Sequence, residues 1–258
     1  MTKLCVLASG SKGNAIYVSN SRTAILIDAG LSGIELERRL RSIGTGADAL
    51  DAIVVSHEHT DHIQSVGVLS RRFQLPVYIN EPTLTAAQTE LGAIQETIGF
   101  QSGAAFDIGS LTIHPFSVSH DAADPVGFTI QDGSAKVGIA TDLGVATESV
   151  CHSLKGCQIV VLEANHDIKM LEEGPYPWEL KQRIQSNLGH LSNEASRDLL
   201  SKVASSQLEH VILAHISETN NHPDRALSVV QAAADHHANR LHIASQHTAG
   251  DIITLNGT

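Results

Sequence analysis

The sequence is short of the residues that define several broad classes of protein, and each shortage removes one. Three cysteines in 258 residues, Cys5, Cys151 and Cys157, are odd in number and follow no CxxC spacing. That excludes a disulfide scaffold and a thiolate zinc site and leaves buried thiols. No apolar run approaches the roughly 18 residues of a membrane span, and glycines and serines interrupt Met1 to Asn14 where a secretory leader needs a continuous apolar stretch. The expectation is a cytoplasmic protein with no membrane partner. Basic residues are outnumbered, 17 Lys and Arg against 28 Asp and Glu, for a net charge of −11. This counts against a passive coat on DNA, which needs cations to replace phosphate counterions. It leaves room for an enzyme whose bound metal ions make a local positive site inside an acidic shell.

What the chain has in excess is histidine, 15 residues of it, beside 42% hydrophobic residues and 20 glycines. Length and apolar content fit one large domain spanning 1–258, with enough material for a real core. Short strands are expected at Lys3–Ala8, Ala15–Ser19 and Ala24–Asp28, separated by polar and glycine-bearing turns. Ser32 is placed to cap a helix to about Arg41, with Glu35 and Glu37 early and Arg38, Arg39 and Arg41 late, the order the helix dipole favours.

A strand at Ala52–Val55, a helical or turn-like segment at Ile63–Leu69, a strand at Pro76–Ile79 and a helix at Asn80–Glu90 follow. The middle reads as strands, at Ala93–Ile98, Ala104–Ile108 and Leu111–Val118, then a hairpin of Gly127–Gln131 and Ala135–Ala140 about Asp132-Gly133. Beyond it, strands are expected at Gln158–Glu163, His210–Ala214, Leu241–Ala244 and Ile252–Leu255, and helices at Trp178–Gln185, Asn193–Val203 and Asp224–His236. Many strands interrupted by helices in both halves suggest two packed sheets with helices outside.

The segment SHEHTDH, directly after the Ala52–Val55 strand, places His57, His59, Asp61 and His62 within six residues. In a loop leaving a strand, His57 and His59 can face one space while Asp61 and His62 turn into the next, which suits two neighbouring metals better than one. A two-metal site predicts further ligands at other strand ends. His120 follows the strand ending at Val118, Asp142 the one ending at Ala140, and His215 the one ending at Ala214. With nitrogen and oxygen donors and no thiolate, two divalent ions, Zn²⁺ or Mn²⁺, fit the set.

These residues resemble the metallo-beta-lactamase superfamily, whose HxHxDH signature stands here as His57, His59, Asp61 and His62. The resemblance implies an α+β fold, the four-layer αββα sandwich of the metallo-beta-lactamase type. It also implies that His57, His59 and His120 hold one metal, Asp61, His62 and His215 the second, and that Asp142 bridges them. A narrower resemblance, to the YycJ/WalJ-like branch with its DNA exonucleases, rests on SGSKGN (Ser9–Asn14), LIDAG (Leu26–Gly30), EANHD (Glu163–Asp167), YPWELKQRI (Tyr176–Ile184), GHLSN (Gly189–Asn193) and HISETNN (His215–Asn221).

The chemistry that follows is hydrolysis by a hydroxide bridging two divalent metals, with DNA as the expected substrate and exonuclease cleavage as the expected mode. The alternative is a small thioester, lactone, lactam or cyclic phosphodiester, which predicts a closed pocket in place of a strand-sized groove. An interaction protein that has lost catalysis fits a complete ligand set less well.

Asp61 is a candidate both to bind metal and to orient the attacking water. His190 and His166 are candidates to contact phosphate or protonate the leaving oxygen. Their plainer readings are a helix-start residue for His190 and, for His166, a helix cap or a group that orients a ligand. The Ser9–Asn14 turn is expected at the rim of the site. Asn14, Asn165, Asn193 and Asn220 are the candidates to present amides to substrate, with cap and turn roles equally open for the last three. Asp28 is expected to orient a ligating histidine or anchor the loop backbone.

Lys169, Lys181, Arg183, Arg197 and Lys202 are candidates for a basic wall in the later helices. Trp178 reads as a core anchor in preference to a lid. The remaining histidines, including the adjacent His236 and His237, need no metal.

Overall fold

The computed structural model describes residues 1–233 and 240–255. The chain opens as an antiparallel meander of β1 (Thr2–Ala8), β2 (Ala15–Ser19) and β3 (Ala24–Ile27). Helix α1 (Gly33–Ser42) then carries it to β4 (Ala52–Val54), parallel to β3. Two further crossovers add β5 (Pro76–Asn80) and β6 (Glu96–Phe100), through α2 (Thr60–Ile63), α3 (Val66–Phe73) and α4 (Glu81–Leu91). A last strand, β14 (Ile253–Leu255), pairs with β1 and completes a seven-stranded sheet in the order β14-β1-β2-β3-β4-β5-β6.

The second sheet repeats this plan. β7 (Phe106–Ile108), β8 (Leu111–Ser117), β9 (Val126–Asp132) and β10 (Ala135–Ala140) are antiparallel, and β11 (Ile159–Glu163), β12 (His210–Ala214) and β13 (Leu241–Ile243) continue in parallel. Helices α5 (Glu148–Leu154), α6 (Ile168–Glu173), α7 (Trp178–Gln185), α8 (Asn193–Val203) and α9 (Pro223–Gln231) accompany it.

Side-chain alternation builds the layers. Ile25 and Ile27 of β3, Ala52 and Val54 of β4, and Ile159 and Val161 of β11 point between the sheets and meet Phe128 and Ile130. Leu26, Ile53 and Val77 point the other way, against Leu36 and Leu40 of α1 and Val66 and Leu69 of α3. Val160 and Leu162 pack outward on α5 and α8 through Val150, Leu154, Leu199 and Val203. The result is the four-layer αββα sandwich. Strands covered on both faces read as unbroken apolar runs, which is why IVVLE of β11 is buried at every position. Each such buried Leu, Ile or Val contributes about 1.5–3 kcal/mol, so a charge at Val161 would break the inner layer. At one end of the sandwich, Phe100 and Phe106 of the two edge strands stack with centroids 5.1 Å apart.

The helix caps follow the sequence. Ser32 Oγ accepts from Glu35 N and Asn80 Oδ1 from Thr83 N. Differences lie where local signals are short. The segment expected as helical or turn-like at Ile63–Leu69 joins the end of α2 to the start of α3, because Ser65 spends its backbone N–H on the carbonyl of Ala29, 2.9 Å away, and interrupts the ladder. The strand expected from Ala93 starts at Glu96, and the one expected from Ala104 at Phe106. Helices α5 and α6 lack a long periodic stretch and are marked in the sequence by their capping residues, Thr147 and Asp167. The final helix is seen over Pro223–Gln231, and residues 234–236 of its expected span, with His236 and His237, lie outside the described residues. No helix among the described residues is long and apolar enough to cross a membrane.

Candidate metal centre

The loops that leave the C-terminal ends of β3, β4, β8, β10, β11 and β12 meet at one edge of the two sheets. Three strand-end residues there, Asp28, Asp142 and His215, have φ of 60°, 57° and 54°. Left-handed backbone costs a non-glycine residue about 1–2 kcal/mol, and here it turns each side chain back over the sheet edge. Hydrogen bonds hold the turns: Asp28 N donates to Val54 O at 2.8 Å, and His215 N to Ser9 Oγ at 2.7 Å. Gly30 allows the loops to close. A Cβ there would lie 1.6 Å from the carbonyl oxygen of Asp61 and 2.8 Å from Asn14 N.

The ligand-capable atoms of His57, His59 and His120 lie within 4.8 Å of one another, as do those of His57, His62 and Asp142, and those of Asp142, Glu163, His190 and His215. Asp61 Oδ2 stands 3.7 Å from His62 Nε2 and 3.9 Å from His215 Nε2, so it joins the same space. Four of the histidines are held through Nδ1. His120 Nδ1 donates to Gly189 O at 3.1 Å, His62 Nδ1 lies 2.7 Å from Asp28 Oδ2, His57 Nδ1 3.0 Å from Ser56 Oγ, and His215 Nδ1 2.8 Å from Glu163 Oε1. Such partners fix the tautomer and aim Nε2 into the centre.

Asp28 does two tasks. Besides facing His62, its carboxylate accepts from Ser56 N at 2.8 Å and from Ser56 Oγ at 2.7 Å, which ties β3 to the SHEHTDH loop.

The donor atoms fit metal ions. His57 Nε2, His215 Nε2 and Asp142 Oδ2 are buried without a hydrogen-bond partner, a costly state for a polar atom unless something binds it. The clusters suit two divalent cations, and the absence of sulfur agrees with Zn²⁺ or Mn²⁺.

Electrostatics divide the histidines. Burial, with neighbouring imidazoles, holds His57 well below the usual imidazole range, and burial lowers His120. Burial acts the same way on His62 and His215, but carboxylates outweigh it. Asp142 and Asp28 hold His62 well above its ordinary value, and Asp142 and Glu163 raise His215 to about 9. Burial pushes Asp142 and Glu163 upward, and the imidazoles beside them win. Asp142 stays well below the carboxylate range, and Glu163 falls to about 2 under His190 and His215.

Glu163 is the residue the sequence reading missed. Fully buried at the end of β11, it sets one oxygen 2.8 Å from both His190 Nδ1 and His215 Nδ1, while its other oxygen accepts from Leu143 N. The available signal was a carboxylate closing an all-apolar strand, a position that demands a partner.

His190 lines a cleft of about 230 Å³ beside the cluster, together with His215, Asn165, Arg183 and Ser11 of the Ser9–Asn14 turn. His166 is elsewhere, on a second cavity that shares His190. It is 2% exposed, and burial lowers it to about 4.

Three of the four asparagines expected at the substrate face inward. Asn14 accepts from Gly10 N and donates toward Gly10 O and Asp61 Oδ2, so its amide locks two loops together. Asn193 is fully buried and exchanges two side-chain hydrogen bonds with Asn221. Asn220 is 1% exposed. Only Asn165 reaches the cleft wall, and its Nδ2 donates to His215 O at 2.9 Å.

The expected basic wall is largely spent on local partners. Lys169 pairs with Glu173, Lys181 donates to Glu172 O, Arg197 pairs with Asp198, and Arg183 lines the cleft while bonded to Asp121. Trp178 is no core anchor, since it stands 66% exposed at the start of α7.

A family profile described as a beta-lactamase superfamily domain matches residues 23–216. The chain is 38% identical over 229 residues to the exodeoxyribonuclease YycJ of Bacillus anthracis, covering 88% of this chain and 87% of that one. It is 37% identical over 223 residues to the exodeoxyribonuclease WalJ of Streptococcus pneumoniae, covering 85% and 83%. Among solved structures, the metallo-beta-lactamase fold protein YhfI from Bacillus subtilis superimposes with a TM-score of 0.75 at 20% identity over 98% of both chains, a likeness of fold.

Proposed function

The chain belongs to the beta-lactamase superfamily, and from that premise we propose that it is a metal-dependent phosphodiester hydrolase that removes nucleotides from DNA ends. The observation that carries the reading is the convergence of His57, His59, Asp61, His62, His120, Asp142 and His215 on one space, with buried donor atoms left unpaired. His57, His59 and His120 would hold one divalent ion, Asp61, His62 and His215 the other, and Asp142 would reach both. Bound there, Zn²⁺ or Mn²⁺ would supply an activated water and offset the charge that develops on a phosphate.

The remaining steps belong to the protein. Asp61, steadied by Asn14, accepts a hydrogen bond from the attacking water and fixes its direction. His190 lines the cleft and has its Nδ1 engaged by Glu163, which leaves Nε2 to deliver a proton to the leaving oxygen. Asp28 and Glu163 keep His62 and His215 aimed. His166, buried on a second cavity that His190 also lines, would support the region beside His190 in preference to transferring a proton.

DNA as the substrate is supported by the two exodeoxyribonuclease relatives, which match most of the chain. Cleavage from an end is supported by the compact cleft of about 230 Å³ beside the cluster, which has room for the end of a strand. The same compactness favours one second reading, a cyclic or other small phosphodiester.

The test is a screen of the purified protein with Mn²⁺ or Zn²⁺ against end-labelled single- and double-stranded DNA, RNA, a cyclic nucleotide and a thioester. Mononucleotides released from DNA are expected. Turnover of the thioester alone overturns the reading.

A further inference from the structure

We propose that the cleft beside the metal-ligand cluster is a pocket for the base of a strand's terminal nucleotide, and that α7 forms its specificity wall. The inference rests on the exonuclease reading for the chemistry and extends it to where the end of the substrate is seated. The cleft, about 230 Å³, has His190 and His215 on one side. Facing them are Leu180 and Ile184 of α7 and, just before the helix, Tyr176. Leu180 and Ile184 are four residues apart and so share a helix face, with Arg183 beside them.

Size and lining decide the occupant. The volume falls below the roughly 300–1,000 Å³ of pockets for drug-sized ligands, which suits one ring system and its sugar. The apolar part of the wall, Tyr176, Leu180, Ile184 and Ile216, suits the flat face of a base and discriminates little among bases, since every base offers a π-face, while Ser11, Asp121, Asn165 and Ser217 make up the polar part. Arg183 also lines the wall, and its side chain is 57% exposed although bonded to Asp121, so its guanidinium can also meet a phosphate.

The cleft ends on His190 and His215, so a base seated in it brings its own phosphate to the ligand cluster. The bond presented there is the one that joins the terminal nucleotide to the strand. Seating the base requires that it leave its stack, and this costs least at a single-stranded end. Single-stranded or frayed ends are therefore the preferred substrate class.

The experiment is calorimetric titration of the metal-loaded protein with the 5′- and 3′-monophosphates of a deoxynucleoside and with deoxyribose 5-phosphate, on the wild type, Leu180→Trp and Tyr176→Ala. Leu180 is only half-buried, so filling the cleft from that position leaves the core untouched. A second arm measures kcat/KM on single strands whose terminal residue carries or lacks a base. At least one nucleotide is expected to bind about tenfold or more tighter than the sugar phosphate, the worth of one stacked base. That advantage should disappear in Leu180→Trp and shrink in Tyr176→Ala, and the abasic end should lose a similar factor, mainly through KM.

Equal binding of nucleotide and sugar phosphate, or a base advantage that survives in Leu180→Trp, overturns the pocket. Strand cleavage indifferent to the terminal base overturns it too, while leaving the exonuclease reading intact. A base-dependent affinity without strand cleavage upholds the pocket and overturns the exonuclease.

Discussion

Asp28 Oδ2 lies 2.7 Å from His62 Nδ1, inside a space where both side chains are almost wholly buried. The contact links the end of β3 to the SHEHTDH loop and sets which nitrogen of His62 faces the centre. Replacing Asp28 with Ala should weaken metal binding about 10- to 100-fold, the usual cost of losing a ligand's orienting partner. Asp28→Asn should lose less, because an amide oxygen still accepts from His62. Competition with a chelator of known affinity measures both.

Glu163 orients two imidazoles with one oxygen, so Glu163→Gln should impair His215 and His190 together. We expect kcat to fall about 10- to 100-fold with a smaller change in KM. A KM effect alone, in steady-state kinetics at saturating metal, contradicts the assignment. Glu163→Ala should also destabilise the fold by roughly 3–5 kcal/mol, since it strips a buried cluster of its counter-charge.

Metal binding should release protons. In the ion-free chain His62 lies well above the ordinary imidazole value and His215 at about 9, so both carry protons at neutral pH, and a cation must displace them. Affinity therefore falls as pH falls. The stability of the ion-free chain has the opposite slope. Raised histidines stabilise it fully below about pH 6.5, the unfolded value, and lose that contribution as pH climbs through about 9. Calorimetry in buffers of different ionisation enthalpy counts the protons, and thermal melts of stripped protein between these two values test the second slope.

Gly30→Ala should disable the site from a position that touches no metal. The added carbon would overlap the Asp61 carbonyl, so the loop must move and take Asp61 and His62 with it. Lower Tm and lower metal occupancy are expected together, the destabilisation being roughly 1–3 kcal/mol.

The thiols should be inert in the folded state. Burial raises Cys5 and Cys157 to about 11, so few thiolates exist near neutral pH. Their alkylation should follow global unfolding, as a comparison of labelling rates in native buffer and in denaturant reveals.

Much of this centre was legible in the sequence because its donors sit where strands end. The apolar run VILA of β12 announces its own terminus, and the next residue, His215, falls at the sheet edge, while Asp142 stands two residues past the end of β10. Glu163 escaped because it belongs to the strand and no spacing ties it to His190 or His215. The asparagines were ambiguous for a different reason. An amide serves backbone and substrate equally well on paper, and only the folded loops show Asn14 and Asn193 already satisfied. Trp178 was misread because burial is the average fate of a tryptophan, whereas α7 packs chiefly through Ile184 and leaves its first residue outside.

The most direct test strips the protein of metal, restores Mn²⁺ or Zn²⁺ in steps, and follows end-labelled single-stranded DNA at each step. The account predicts that mononucleotide release rises with occupancy, levels off at two ions per chain, and is lost in Asp142→Asn. Full occupancy without release of nucleotides, or cleavage that persists in the stripped protein, contradicts it.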